Sequence, residues 1–169
     1  PLTWSTLAEG FGVTNAGVFT AGTIAGSYPN AIRVRHLGVD RLISVEIVAG
    51  DPVELHIEPS TIIISPGSSQ QLQAYFTDSQ GNISDVQADL QWSRAPSYAF
   101  DVSSDGVINA DCSVSPDFYE EGIFVSANVG SFELRGSAHV DVRSGEVSSV
   151  DISPVRAEVE VNDTFFFVA

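Results

Sequence analysis

The chain repeats itself, and a repeat with a period of about 90 residues makes it a row of like units. VELHIEP, residues 53–59, recurs loosely as VSSVDISP, residues 147–154, with Pro59 and Pro154 standing 95 residues apart (154 − 59). LTWS ending at Ser5 returns as LQWS ending at Ser93, an offset of 88 (93 − 5). VTNAGVFTAG from Val13 returns as VSSDGVINAD from Val102, an offset of 89 (102 − 13). These registers define one complete unit, residues 50–144, flanked by two incomplete ones. Residues 1–49 match its back half and residues 145–169 match its front half. Residue 169 falls opposite 74 and residue 1 opposite 89, so the two halves together lack only the equivalent of residues 75–88. The cut points complement each other.

The local pattern is β throughout. Val53, Leu55 and Ile57 alternate with Glu54, His56 and Glu58, and Leu72, Ala74 and Phe76 alternate with Gln71, Gln73 and Tyr75. A period of two marks a strand with one buried face. Gly, Pro, Asn and Asp punctuate these runs in SPGSS from Ser65, DSQGN from Asp78, SSDG from Ser103 and RSG from Arg143, where reversals need them. Strands are expected at 52–58, 61–65, 70–77, 88–93, 106–110, 123–129 and 131–142, and no window offers a helical stripe of any length. Short strands separated by turns describe an all-β protein of tandem two-sheet antiparallel β-sandwiches. Trp92 is the expected centre of the complete unit's core, joined by Leu72, Phe76, Leu90, Val107, Val125, Ala127, Leu134 and Val140. Trp4 is its counterpart in the first fragment.

Composition removes several classes of function. Hydrophobic residues are 43% of the chain and charged residues 17%, so there is enough apolar side chain for a core and disorder is excluded as the main state. Seven arginines and no lysine face 22 acids, a net charge of -15. Nucleic acid is not an expected partner, because phosphate binding needs clustered cations. No apolar run approaches the 18 residues of a membrane span, and no basic stretch leads into an apolar core at the amino terminus. Membrane insertion and a signal peptide are therefore not expected.

The stretch LTWSTLAEGFGVTNAGVFTAGTIAGSY, residues 2–28, resembles the back half of a bacterial immunoglobulin-like domain of group 2, the module of intimin- and invasin-type adhesins. The resemblance is carried by Trp4 and Ser5, then Gly17, Val18, Phe19, Thr20, Ala21 and Gly22, then Gly26. The front half matches in IEPSTIIISPGSSQQLQAYFTDSQGN from Ile57, so the resemblance spans nearly the whole chain. In the complete unit the central element is degraded to GVINAD, and CSVSPDFYEEG from Cys112 replaces the short glycine turn with an acidic loop. The family's members act as spacers and displayers in adhesins, surface-layer proteins, phage virion proteins and carbohydrate-active enzymes. The resemblance thus implies an extracellular, mechanical role.

No catalytic constellation emerges. His36, His56 and His139 are isolated on separate strands without a second ligand at zinc spacing. Cys112 is the only cysteine, a free thiol or an intermolecular crosslink. There is no Gly-x-Ser-x-Gly elbow, and an enzyme is not expected. No cofactor is required, with calcium as the chemical alternative because it takes clustered oxygen ligands in loops. Its candidates are Asp78, Asn82 and Asp85 in one loop, Asp117, Glu120 and Glu121 in another, and Asp51 near the junction. Acidic loops that keep a strand-rich protein soluble are the simpler account. Tyr98, Phe118 and Tyr119 form a candidate sugar-stacking set or, more simply, lids over the end of the sandwich. Asn82 and Asn162 head Asn-x-Ser/Thr sequons at predicted turns, where a glycan would be accessible.

TFFFVA, residues 164–169, places Phe165 and Phe167 toward a core with Phe166 on the opposite side, in a strand without sheet partners in its own fragment. Either the natural chain continues, or the front half of one molecule completes the back half of the next, head to tail. The sequence therefore reads as a non-catalytic structural or adhesive repeat of a long extracellular surface protein or fibre. Its expected partners are copies of itself, neighbouring Ig-like repeats and host or matrix glycans. The alternative is a calcium- or glycan-binding Ig-like module of a secreted adhesin or enzyme.

Overall fold

Alternating side chains and turn residues build strands in the computed structural model, which describes residues 1–96, 100–145 and 152–168. Residues 1–49, unit one, form β1 (Thr3–Thr6), β2 (Gly12–Val13), β3 (Phe19–Thr20), β4 (Gly26–His36) and β5 (Val39–Ile47). Their pairing gives a sheet ordered β1-β4-β5 and a small β2-β3 ribbon. The complete unit, unit two, begins with β6 (Pro52–Glu58), β7 (Thr61–Ile64), β8 (Ser69–Gln71), β9 (Gln73–Asp78) and β10 (Ile83–Ser84). It continues with β11 (Gln91–Arg94), β12 (Phe100–Val102), β13 (Val107–Ala110), β14 (Asp117–Val129) and β15 (Phe132–Val142). Its sheets run β10-β9-β6, β11-β14-β15-β7 and β12-β13-β8. The fold is all-β, and no helix occurs among the described residues.

The core lies between these layers. Leu55, Ile57 and Phe76 come from the first sheet, and Ile62, Ile64, Ile123, Val125, Ala127, Ala138, Val140 and Val142 from the second. Phe100, Ile108 and Ala110 close the cluster from the third, joined by Leu72 between β8 and β9. Trp92, Leu90 and Leu134 are partly buried against its side, so the indole forms a wall of the core and not its centre. Val107 was the expected inward residue of its strand, yet Ile108 and Ala110 are buried there, because the strand starts one residue after the turn and a period of two then inverts the faces.

Four expectations about strands need correction. β7 pairs with β15 in parallel, from Thr61 beside His139 to Ile64 beside Val142, so the sandwich is not purely antiparallel. The expected strand 70–77 is two strands, because the chain kinks at buried Leu72, whose N–H donates to Gly106 O at 2.9 Å, and passes from β13 to β6 as partner. The acidic loop is only half a loop, since Asp117, Glu120 and Glu121 lie on β14. Residues 152–168 form no strand, only an isolated antiparallel bridge between Ser153 and Val168.

Unit one reproduces the back half of unit two pair by pair. Trp4 sits opposite Val34 as Trp92 sits opposite Val125, and Val13 opposite Phe19 as Val102 opposite Ile108. Phe11 meets Tyr28 edge to face at 4.7 Å, as Phe100 meets Tyr119 at 5.2 Å. Both long hairpins bulge at the same place, with Asn30 and Glu121 at positive φ. The spread of offsets now has a physical origin. Val34 to Val125 is 91 (125 − 34), after the longer loop that precedes β14; Ile43 to Ala138 is 95 (138 − 43), because the β14-β15 hairpin is longer at its tip.

Two glycines are set by this packing. Gly17 and Gly106 have φ of 83° and 81°, and a β-carbon on either would come within 3.0 Å of the ring of Trp4 or Trp92. At Gly136 an added β-carbon would lie within van der Waals overlap of the Leu55 carbonyl oxygen, where β6 crosses β15. Gly136→Ala is therefore expected to destabilise unit two by about 3 kcal/mol, since backbone must move. Gly106→Ala should cost roughly 1–2 kcal/mol, and Gly145→Ala, which meets no neighbour, within about 0.5 kcal/mol. Urea unfolding followed by circular dichroism ranks the three.

Candidate functional site

The most heavily hydrogen-bonded side chains of the described residues gather where unit one meets unit two. β9 ends at Asp78, which is buried, and the turn Asp78 to Asn82 returns the chain into β10. Gly81, with φ of 80°, makes the reversal, and its N–H donates to Asp78 O at 3.0 Å. The Asp78 carboxylate organises the surroundings. Its Oδ1 accepts the N–H groups of Gln80 at 2.8 Å and Asn82 at 2.9 Å, while its Oδ2 accepts the linker N–H of Gly50 at 2.8 Å. The Asn82 amide adds Nδ2 to Oδ2 at 2.9 Å.

Asn82 then reaches across to unit one. Its Oδ1 accepts the N–H of Ala25 at 2.9 Å, and its Nδ2 donates to Thr23 O at 2.9 Å. The amide thus satisfies a donor and an acceptor of one turn while holding the Asp78 carboxylate. The linker, the β9-β10 turn and the Thr23–Ala25 backbone form one network. Hydrogen bonds from the Asn82 side chain, then from Gly50, hold the Asp78 carboxyl far below the usual carboxylate range, outweighing the opposing effect of burial. Charge-assisted bonds of this kind are the stronger ones.

The candidate calcium ligands are distributed differently from the loops expected of them. Asp78 and Asn82 are together, but their oxygens already accept N–H donors, which a cation would have to displace. Asp85 is exposed beyond β10, and Asp51 is exposed in the linker. Asp117 accepts the N–H of Phe118 at 2.8 Å, and Glu121 donates its N–H to His139 Nδ1 at 3.3 Å while Ser137 donates to its carboxylate at 3.3 Å. Glu120 is exposed on the same strand. Among the described residues no three His, Cys, Asp or Glu side chains are grouped to hold a metal ion.

The remaining candidates separate by environment. Tyr119 packs on Phe100 and the core, whereas Phe118 is exposed and stacks on His139 at 5.7 Å; Tyr98 lies outside the described residues. Asn82 is half-buried with its amide nitrogen engaged, so the accessibility expected of a glycan acceptor is not met there, while Asn162 is exposed at φ of 72°. His36 contacts Pro1 O at 3.1 Å, His56 contacts Thr77 Oγ1 at 2.9 Å, and with His139 they lie on three different strands, β4, β6 and β15. Cys112 is exposed with a free thiol. Phe165, Phe166 and Phe167 are all exposed, and Phe165 meets Phe167 edge to face at 5.4 Å, with Phe166 on its own. Sequence reasoning found Asp78 and Asn82 as acid-cluster members, but Gly50, Thr23 and Ala25 carried no local signal.

No family model matches this chain. Ice-binding protein 1 of Shewanella frigidimarina (strain NCIMB 400) is 22% identical over 113 residues, which are 67% of this chain and 12% of that protein. The chain therefore spans about an eighth of the length of that curated relative. Among solved structures it is similar to domains 4-9 of the surface layer protein SbsC, with a TM-score of 0.39 and 16% identity over 90% of this chain and 23% of that one. Domains 4 and 5 of SbsC give 0.35 and 18% over 83% and 70%. The N-terminal four Ig domains of Dscam1 isoform 7.44 give 0.35 and 12% over 84% and 37%.

A carboxyl group whose pKa is depressed by folding contributes stability that is complete above its unfolded value and is lost as pH falls toward its folded one. Asp78→Asn should lower the urea midpoint at pH 7. It should also flatten the loss of stability expected of the native chain on acidification below about pH 4. Urea titrations of both proteins between pH 7 and pH 2 check this. Parallel curves would mean that Asp78 does not carry that part of the acid response.

Proposed function

We propose that this chain is a non-catalytic structural or adhesive repeat segment of a long extracellular surface protein or fibre. The observation that carries the reading is the junction. A linker of a few residues, Ala49 to Asp51, is tied by its own N–H to Asp78, and Asn82 bonds to unit one in both directions. A flexible string of domains needs no such network, since inter-domain linkers are ordinarily places where few contacts cross. A spacer that transmits force or sets a display distance does need one. The acidic surface suits the same role, because a net charge of -15 keeps neighbouring rods from clumping.

The role is mechanical. Unit two buries its own core and each unit repeats the same hairpins, so length grows by adding units while the geometry of each joint is set by side chains. The resemblance to bacterial Ig-like repeats supports an extracellular setting, and the SbsC and Dscam1 similarities accompany it without deciding it.

Asn82→Ala removes the cross-unit bonds and leaves both cores intact. Units one and two of the variant should tumble with separate correlation times in 15N NMR relaxation, where the native chain gives one anisotropic value for both. Small-angle scattering should show a broader distribution of end-to-end distances. A variant indistinguishable from the native chain would overturn the rigid-spacer reading.

A further inference from the structure

Unit two carries an exposed aromatic pair that unit one lacks. Phe118 on β14 stands opposite Asp141 on β15, and His139 is its diagonal neighbour on the outer face of that sheet, the two rings stacked at 5.7 Å and 24°. Phe118 is 51% exposed, so His139 backs one side of its ring while the other side meets solvent. Ile63 on β7, also exposed, continues the same row beyond Asp141. The sugar-stacking set expected of Tyr98, Phe118 and Tyr119 reduces, among the described residues, to Phe118 with His139 behind it, because Tyr119 turns into the core.

The two units separate what the fold requires here from what it does not. Both long hairpins have a bulge, and in both the N–H at the bulge is satisfied by a side chain of the following strand. Asn30 donates to Ser44 Oγ at 3.2 Å, and Glu121 donates to His139 Nδ1 at 3.3 Å. Ser44 is the counterpart of His139 (139 − 44 = 95) and Ser27 the counterpart of Phe118 (118 − 27 = 91), in the registers that set Tyr28 opposite Val45 and Tyr119 opposite Val140. A hydroxyl therefore suffices for the bulge, and a serine suffices where Phe118 stands. Neither ring is demanded by the hairpin.

The groups around the pair are polar and of both signs. Glu120 and Glu121 are exposed in the bulge, and Ser137 donates to Glu121 Oε1 at 3.3 Å. Arg143 lies two residues beyond Asp141 and pairs with it at 2.6 Å. Because His139 Nδ1 accepts from Glu121, the proton of the neutral ring sits on Nε2, which is a donor.

We propose that this face of unit two binds a neutral glycan, one sugar ring laying its C–H face on Phe118 while its hydroxyls meet the carboxylates of Glu120 and Glu121 and the donors of His139 and Arg143. This rests on the adhesive side of the reading above and names the class of ligand. An aromatic surface with a few placed polar groups is the general make-up of such a site. Charge selects among ligands. A hydroxyl both donates and accepts and so suits a rim that holds both kinds of group, whereas a bare cation would meet Arg143. An acidic sugar would meet Glu120, Glu121 and a chain of net charge -15, which repel it.

The test is a titration of the 15N-labelled chain, followed by amide shifts, with neutral oligosaccharides of glucose, mannose, galactose, xylose and N-acetylglucosamine, and with oligogalacturonate as the acidic control. At least one neutral series should move the amides of Phe118, Glu120, Glu121 and His139 with a Kd in roughly the millimolar range, and oligogalacturonate should not. Phe118→Ser and His139→Ser introduce the residue that unit one has at each place, so both variants should keep the native urea midpoint. The first should weaken binding about tenfold and the second about threefold. No shift at these amides with any neutral series overturns the inference, as does a Phe118→Ser variant that binds like the native chain or an acidic series that binds as well as a neutral one. Tetramethylammonium moving these amides where the sugars do not would overturn it in favour of a cation site. The Asn82→Ala measurement reads the junction alone, so failure of the glycan site and failure of the spacer reading are distinguishable.

Discussion

A sheet that is apolar on one face has to bury that face against a second layer. In unit two the requirement is met internally. β6 and β7 come from the front of the sequence and lie against β14 and β15 from its back, so contacts of long sequence separation close the core around Ile62, Ile108, Ile123 and Val140. Unit one and residues 152–168 each carry one side of the same arrangement. Their exposed side chains, Ile43 on one and Phe167 on the other, are core residues by position.

Within each half, local geometry is repeated closely because it depends on neighbours in sequence. The indole of Trp4 or Trp92 lies against a glycine at positive φ, and the turn around that glycine closes with the same hydrogen bonds. Gly17 donates to Thr14 O at 2.9 Å, and Gly106 donates to Ser103 O at 3.0 Å. The Thr14 and Ser103 hydroxyls accept from Val18 and Val107 at 3.1 and 3.0 Å. A larger residue at the glycine would need both a different backbone conformation and a displaced indole. This explains why a Trp and a positive-φ Gly recur in both copies, 13 residues apart in one (17 − 4) and 14 in the other (106 − 92), while Phe19 in one copy is Ile108 in the other.

The junction works by a different economy of forces. Its groups are polar and partly buried, and each needs partners to offset lost hydration. Asp78 finds donors in Gly50, Gln80 and Asn82, and Asn82 in turn meets the backbone of Thr23 and Ala25. Direction comes from this arrangement. Apolar contact alone tolerates sliding, whereas an amide that donates and accepts across the boundary sets one relative placement of the two units. Surface ion pairs such as Arg135 with Glu133, both exposed, add little to this.

Most of the longer strands and most of the core were legible in the sequence, because period-two alternation and turn residues act over a few neighbours, while the short β10 and β12 and the first residues of β14 were not. β6 matched its expected limits, and Leu72, Phe76, Val125, Ala127 and Val140 are buried as expected. What required the tertiary structure were features set by distant partners. The parallel pairing of β7, the division of β8 from β9 at Leu72 and the inversion that buries Ile108 instead of Val107 all follow from which sheet each segment joins. Asp78 and Asn82 were recognised by their oxygens but not by their task. Their partners Thr23 and Ala25 lie more than fifty residues away and contribute only backbone, which no side-chain pattern encodes.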